Sequence, residues 1–149
     1  MSDATPPTRS GASSQPSAAA TSSLDVLIID DDELTSARLE ILVEACGHGA
    51  LSVASVDEAR QAMKAIYFPI LIVDRMLGDG DGIDLCREYR KRHPQNGVYI
   101  IILSALDSAA DVNAGMIAGA DDYVSKRSTD PQLIQRLRKA AAAMKLTPK

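Results

Sequence analysis

The sequence predicts an α/β fold built on a parallel five-stranded sheet, and three observations support this prediction. Short runs rich in Val and Ile alternate along the chain with segments whose apolar residues recur at helix spacing. The strand-like runs are apolar almost throughout, which is typical of strands that helices cover on both faces. Each helical pattern follows its strand after a short connection, so the crossovers make the strands parallel.

The five predicted strands are the segments 25–29, 50–54, 70–73, 98–103 and 122–125. The first helix follows the first strand directly and ends before Gly47, a residue suited to a left-handed cap. The second helix opens with SVDE at residues 55–58, which has the spacing of a capping box, and it stops before Pro69. These signals separate the first three strands from one another.

The remaining helices are predicted over residues 82–92 and 107–119 and from Asp130 onward, with Pro131 in the first turn of the last one. Five strand–helix units do not close an eight-stranded barrel, so an open sheet remains. We therefore expect a flavodoxin-like, doubly wound (βα)5 sandwich with the strand order 2-1-3-4-5.

Length and composition limit the possible classes of protein. Residues 1–23 are Ser, Ala, Thr, Pro and Gly with few larger apolar side chains, and we expect a disordered tail there. Residues 24–146 form the predicted domain, and 147–149 are a tail or truncated linker. The formal net charge of −4 gives no electrostatic argument for nucleic acid. No apolar run reaches the roughly 18 residues of a membrane span, so we expect a cytoplasmic protein with no membrane contact.

The cysteines and histidines give little functional signal. Cys46 and Cys86 are far apart in sequence, and each lies in a helical pattern, so we expect small buried residues rather than a disulfide or metal site. His48 and His93 lie beside Gly47 and Pro94 in predicted connections. We expect both to be ordinary surface histidines.

Polar residues stand where the predicted strands end. The first strand is followed by Asp30 and Asp31, the third by Asp74, the fourth by Ser104 and the fifth by Lys126. In open α/β sheets, ligands bind outside the carboxyl ends of the strands, where the strand order reverses. Three carboxylates without His or Cys nearby are a hard oxygen-ligand set suited to Mg²⁺.

The same residues can hold a phosphoryl group. A lysine, a hydroxyl, a divalent cation and helix N-termini supply positive charge and hydrogen-bond donors to its oxygens. The central carboxylate can itself act as the nucleophile and form an acyl phosphate. Phosphoryl transfer needs mainly positioning and charge neutralisation, so no histidine base is required.

Four motifs appear in order: IIDDD, LIVDRMLGDGDG, IIILSA and GADDYVSK. With these motifs, residues 24 to about 146 resemble a response regulator receiver domain of bacterial two-component signalling. The resemblance implies that Asp74 is the phosphoacceptor and that Asp31 binds Mg²⁺ directly. It also implies that Asp30 acts largely through water and that the backbone carbonyl of Met76 completes the metal site.

The resemblance assigns further roles near the phosphoacceptor. Ser104 would move toward the phosphoryl group, Lys126 would pair with its oxygens, and Tyr123 would change rotamer on activation. Asp32 and Glu33 match no ligand position and are expected to stabilise the N-terminus of the first helix. The implied partners are a sensor histidine kinase or phosphotransfer protein, and a downstream protein or second copy that binds the face of helix 4, strand 5 and helix 5. Direct nucleic-acid binding is not expected.

Four positions depart from the family pattern or modify its chemistry. Arg127 replaces the usual cis proline, and a cis bond before a non-proline residue costs about 2.5–4 kcal/mol, so we predict a trans peptide and a reshaped loop. Gly78 replaces another proline and should loosen its loop. Apolar Met76 and Leu106 border the path of hydrolytic water and cannot orient it, which predicts a long-lived phospho-Asp74.

Three alternatives compete with this interpretation. DGDGID at 79–84 resembles a calcium loop but has Asp84 at the position that needs glycine and Arg90 at the position that needs glutamate. Asp30-x-Asp32 resembles the nucleophile motif of haloacid dehalogenase phosphatases. A scaffold that binds partners without phosphorylation is the remaining alternative. We expect no enzyme beyond self-catalysed phosphotransfer and autodephosphorylation.

Overall fold

The computed structural model describes residues 24–94 and 97–148, so the prediction for the tail 1–23 lies outside the described residues. Strands and helices alternate along the chain. The elements are β1 (Leu24–Ile29), α1 (Glu33–Ala45), β2 (Gly49–Val53), α2 (Val56–Ala65), β3 (Ile70–Val73), β4 (Met76–Leu77), β5 (Gly80–Asp81), α3 (Gly82–Arg92), β6 (Tyr99–Ser104), α4 (Ala109–Ile117), β7 (Asp122–Ser125) and α5 (Asp130–Ala143).

Five strands form one parallel sheet in the order β2-β1-β3-β6-β7. If the two-residue strands β4 and β5 are left out of the count, this is the predicted order 2-1-3-4-5. The flavodoxin-like fold is therefore confirmed. Strands β1 and β3 are neighbours, as expected where the strand order reverses.

Two apolar clusters cover the two faces of the sheet. One contains Leu27, Leu71 and Ile100 together with side chains from α2 and α3, and the other contains Ile28, Ile72 and side chains from α1 and α5. Neighbouring residues of a strand point to opposite faces, so the central strands must be apolar at every position. Burial of both faces of the sheet therefore explains the continuous apolar runs in the sequence.

A short antiparallel hairpin, β4–β5, lies between β3 and α3 and was not predicted. Gly78 and Asp79 form its turn, and the Asp79 carboxylate accepts hydrogen bonds from the backbone N–H groups of Val56 and Asp57, at 2.8 and 3.1 Å. These two residues begin α2, whose first amides have no partners within the helix. The acidic hairpin therefore caps a neighbouring helix.

The helix caps largely follow the sequence signals. Asp32 caps α1 and accepts from the Leu34 N–H at 3.2 Å, as expected of a residue outside the metal set. Ser55 caps α2, but the Glu58 carboxylate accepts from Ala54 N–H instead of from Ser55, so the predicted capping box is only half formed. The Glu58 side chain binds the N–H one residue before the N-cap, so the reciprocal bond of a capping box is missing.

The prediction that His48 lies on the surface is wrong. His48 is buried, and its Nδ1 lies 3.1 Å from the Asp25 carboxylate. His93 is half-buried against the ring of Tyr89, at 4.5 Å between centroids. Cys86 is buried, and burial raises the pKa of its thiol to about 11. Both cysteines of the chain lie among the described residues and are unbridged.

Within the described ranges, no helix is both long and apolar enough to cross a membrane.

Candidate functional site

Backbone pairing brings the first and third strand ends together. Ile29 pairs with Val73, and these are the last residues of the neighbouring strands β1 and β3. The residues that follow, Asp30 and Asp74, therefore lie at the same level along the two strands. The Asp74 N–H donates to the Ile29 carbonyl at 2.9 Å, which continues the ladder to this point. Parallel strands in register therefore place the two carboxylates side by side, although they are far apart in sequence.

Three carboxylates converge here. Asp30, Asp31 and Asp74 each offer one oxygen, and these oxygens all lie within 4.8 Å of one another. Asp30 and Asp74 are buried, whereas Asp31 is exposed. Burial of a carboxylate disfavours its charged form. The pKa of Asp30 is raised, chiefly by burial, although a hydrogen bond from Lys126 opposes the shift.

Lys126 supplies the positive charge in this cluster. Its ammonium nitrogen lies 2.8 Å from an oxygen of Asp30 and 2.9 Å from an oxygen of Asp74. Partial burial lowers the pKa of Lys126, but its hydrogen bonds to the two carboxylates outweigh burial and leave it above the ordinary value. The lysine thus stays protonated and partly offsets the repulsion between the acids.

Ser104 and Tyr123 lie on the next two strands of the sheet. Ser104 is buried, and its Oγ accepts a hydrogen bond from the Leu106 N–H at 3.2 Å. Tyr123 is half-buried, and its hydroxyl donates to the Leu106 carbonyl. Both side chains therefore contact the loop that joins β6 to α4. A change at Ser104 can reach this loop directly.

The loop that carries Lys126 has no cis bond, since the peptide bonds of the described residues are all trans. This confirms the trans peptide predicted before Arg127. The Arg127 guanidinium contacts the Asp107 carboxylate at 2.8 Å, and Ser125 Oγ donates to the same carboxylate at 2.7 Å.

A second arginine reaches this loop from α1. Arg38 contacts Asp130 at 2.6 Å and donates to the Ser128 carbonyl at 2.8 Å. Charged side chains thus hold the loop from two sides without the proline. The sequence offered no signal for these pairs because their members are distant along the chain.

The start of α3 packs directly against the backbone of Asp74. A Cβ atom on Gly82 would lie 1.9 Å from the Asp74 carbonyl oxygen, so a side chain does not fit there. The Gly82 N–H donates to the Arg75 carbonyl at 2.9 Å, and Asp81 caps α3 by accepting from the Ile83 N–H. Asp81 and Gly82 therefore shape the entry into α3.

The comparisons with known proteins agree with this geometry. Residues 26–138 match the family described as the response regulator receiver domain. The chain therefore belongs to the receiver family, the phosphorylation switch of two-component signalling.

Individual relatives show the same class. The DNA-binding response regulator MtrA of Mycolicibacterium smegmatis is 32% identical over 113 residues, which cover 76% of this chain and 48% of MtrA. The phosphate regulon transcriptional regulatory protein PhoB of Rhizobium meliloti is 33% identical over 113 residues, covering 76% of this chain and 50% of PhoB. A response regulator from Chloroflexus aurantiacus superposes with a TM-score of 0.71 at 31% identity, covering 80% and 98% of the two chains.

The relatives correct one prediction. We expected no nucleic acid among the partners, and this is wrong, because the matching relatives include proteins named as DNA-binding response regulators. The expectation came from the net charge of this chain, which spans about half the length of the curated relatives it matches. The net charge of a chain that matches only about half of each relative carries no information about what those relatives bind.

Proposed function

We propose that Asp74 accepts the phosphoryl group and that Lys126 and Ser104 assist the transfer. The observation that carries this proposal is the contact of the Lys126 ammonium with the Asp74 carboxylate at 2.9 Å, beside two further carboxylates. A phosphoryl group on Asp74 would place its oxygens next to that ammonium. The backbone of Asp74 is also packed closely against Gly82.

Mg²⁺ is the proposed cofactor, and the donor set fits it. Receiver domains generally bind Mg²⁺ at an acidic pocket, and Mg²⁺ prefers oxygen ligands at about 2.0–2.1 Å. Opposite ligands are then roughly 4.2 Å apart, which is compatible with three oxygens within 4.8 Å of one another. Asp31 and Asp74 would bind the ion directly, Asp30 largely through water, and Met76 through its backbone carbonyl.

The proposed reaction moves one phosphoryl group. A carboxylate oxygen of Asp74 forms a new P–O bond while the bond from phosphorus to the donor breaks, and the donor leaves with its electron pair. The donor is a phosphohistidine of a kinase or phosphotransfer protein, or a small acyl phosphate such as acetyl phosphate. Lys126 neutralises charge on the oxygens of the transferring group, which is the main contribution a protein makes to this chemistry.

The signal then leaves through the face of α4, β7 and α5. Ser104 moves toward the phosphoryl group, releases the Leu106 N–H and so changes the loop that Tyr123 also contacts. We propose that this shift changes the affinity of the face for a protein partner or a second copy. By analogy with MtrA, DNA binding is one output that the switch can control. A cytoplasmic location stays a prediction.

The test is labelling with acetyl phosphate and Mg²⁺, followed by phosphate-affinity electrophoresis and size-exclusion chromatography. We expect a shifted band for the wild type, loss of that band without Mg²⁺, and no band for Asp74→Asn. Asp32→Asn is the matched control, because Asp32 lies in the same acidic stretch but caps α1. Absence of any label that depends on Asp74 would favour the phosphorylation-independent scaffold.

A further inference from the structure

Arg75 is a charged residue in an unusual position, directly after Asp74. Its side chain is only 14% exposed, and charged side chains are seldom buried unless they are paired. None of the roles described above uses it. A largely buried charge so close to the proposed phosphoacceptor needs a physical explanation.

The Arg75 guanidinium connects three elements around the site. Nη2 lies 3.3 Å from the carboxylate of Asp81, which caps α3. Nη1 lies 3.5 Å from the Asp111 carboxylate and donates to the Asp111 carbonyl at 3.4 Å, within the first turn of α4. Arg75 therefore joins the loop after Asp74 to the starts of α3 and α4.

The contacts of Arg75 are long in comparison with those of other arginines in the chain. Arg60 reaches Glu88 at 2.6 Å, and Arg90 reaches Asp121 at 2.5 Å. The Nε–H of Arg75 is buried and has no protein acceptor among the described residues. A buried charge with incomplete hydrogen bonding is sensitive to small displacements of its partners. The Arg75 guanidinium can therefore shift its contacts between Asp81 and Asp111 when either partner moves.

Tyr123 lies next to this arginine and against α4. A Cβ atom on Gly115 would lie 2.6 Å from the Tyr123 ring, so glycine at this helix position makes room for the ring. Burial lowers the pKa of Arg75, but the hydrogen bond to Asp81 and the proximity of the Tyr123 hydroxyl raise it above its ordinary value. Helix α4 is thus held at its N-terminus by Arg75 and along its side by Tyr123.

We propose that Arg75 is a positioning residue that couples the loop of Asp74 to α4 and Tyr123 through Asp111. The inference rests on the proposed function, since it takes Asp74 as the phosphoacceptor. Phosphorylation converts the Asp74 carboxylate, which carries one negative charge, into an acyl phosphate that carries about 1.5–2, one residue away from Arg75, and it rearranges that loop. Because Arg75 holds the loop and α4 together, the rearrangement is passed to the output face.

The experiment uses beryllofluoride with Mg²⁺ as a phosphoryl mimic on the 149-residue chain. Amide NMR shifts of Ala109–Ile117 report the response of α4, and a titration reports beryllofluoride affinity. Arg75→Met keeps an unbranched side chain about as long as the apolar stem of arginine but removes the guanidinium and its charge. Asp111→Asn keeps an acceptor for the capping bonds from Ser108 but not the carboxylate charge. Arg60→Met removes an exposed ion pair and is the control.

For wild type and Arg60→Met, we expect saturable binding and large shifts throughout α4. For Arg75→Met and Asp111→Asn, we expect beryllofluoride still to bind at Asp74. The amide shifts of α4 at saturation should fall to roughly half or less. This corresponds to losing a coupling of about fivefold or more between binding at Asp74 and the conformation of α4. The double variant should add little to either single change. Arg75→Lys should recover part of the response, a recovery that a merely structural role does not predict.

The failures are distinguishable. If the wild type shows no response that depends on Asp74, the proposed function itself fails. If the wild type responds and Arg75→Met and Asp111→Asn respond equally, only the role of Arg75 is overturned. Because either variant could fold poorly, melting curves accompany each titration, and a full α4 response in whichever variant folds is sufficient to reject the role.

Discussion

The ammonium of Lys126 offsets the repulsion between the negatively charged carboxylates at the site. It lies within 2.9 Å of both Asp30 and Asp74. These two buried carboxylates therefore share one cation. A divalent ion would add positive charge to the same group of oxygens. We therefore expect the ion and the lysine to act together, the ion on the carboxylates and the lysine on an incoming phosphoryl group.

Met76 gives a prediction for the lifetime of the phosphorylated state. Its side chain is exposed beside Asp74 and offers no hydrogen-bonding group to water. Met76→Asn should raise the dephosphorylation rate by roughly three- to tenfold, which corresponds to at most about 1.4 kcal/mol of the barrier. The decay of radiolabelled phosphoprotein measures this rate. An unchanged or slower decay would count against the role given to Met76.

Tyr89 gives a prediction for stability. It is fully buried, and its hydroxyl donates to the Phe68 carbonyl at 3.1 Å and accepts from the Phe68 N–H at 3.0 Å. Tyr89→Phe leaves both backbone groups without a partner and should cost about 1–3 kcal/mol of unfolding free energy. Tyr67 is 51% exposed and its hydroxyl donates to the Gly97 carbonyl. Tyr67→Phe therefore removes one hydrogen bond at the surface and should cost less, about 0.5 kcal/mol. Urea denaturation compares them, and equal losses would refute the argument.

At the scale of elements, Gly78 in the turn of the β4–β5 hairpin and Gly82 directly after the hairpin make a matched pair. A Cβ atom on Gly82 would meet the Asp74 carbonyl oxygen at 1.9 Å, whereas one on Gly78 would meet nothing within 4 Å. Gly82→Ala should therefore destabilise by about 1–3 kcal/mol or more and displace Asp74, which slows labelling. Gly78→Ala should change stability by less than about 1 kcal/mol. Urea denaturation and acetyl phosphate labelling test this, and a fully active Gly82→Ala would contradict the packing.

The hairpin also makes the stability of α2 depend on pH. Hydrogen bonds from the Val56 and Asp57 N–H groups hold the pKa of Asp79 below its ordinary value of 3.8. The stabilisation is therefore present above that value and is lost as the pH falls through the lower folded pKa. Asp79→Asn should be less stable than wild type at pH 7, and the difference should shrink below about pH 4. Denaturation curves across this range check the sign, and a gap that widens in acid would contradict it.

At the scale of the whole molecule, the fold was predictable because burial on two faces leaves a plain record in the sequence. Strands such as Ile70–Val73 are apolar at every position, and residues such as Asp32 and Pro131 mark where helices begin. Since parallel strands end at one edge of the sheet, the convergence of Asp30, Asp31 and Asp74 followed from the order of elements.

The features that sequence reasoning missed depend on pairs of distant residues. The burial of His48 follows from Asp25 on the neighbouring strand, and the loop around Lys126 depends on Arg38 and Asp107. The hairpin has only two residues in each strand, too few for a periodic signal. The net charge and residue pattern of this chain do not report which partners act together with it. The prediction about nucleic acid failed for this reason.

The central claim is that the phosphoryl group is carried by Asp74. The most direct measurement is to label the protein with acetyl phosphate and Mg²⁺, reduce the acyl phosphate with borohydride and locate the reduced residue by peptide mass spectrometry. We expect a single modified residue, Asp74, and none when Mg²⁺ is removed by a chelator. Modification of Asp30 would contradict it and would support the phosphatase-like alternative, in which the first acid of the cluster is the nucleophile.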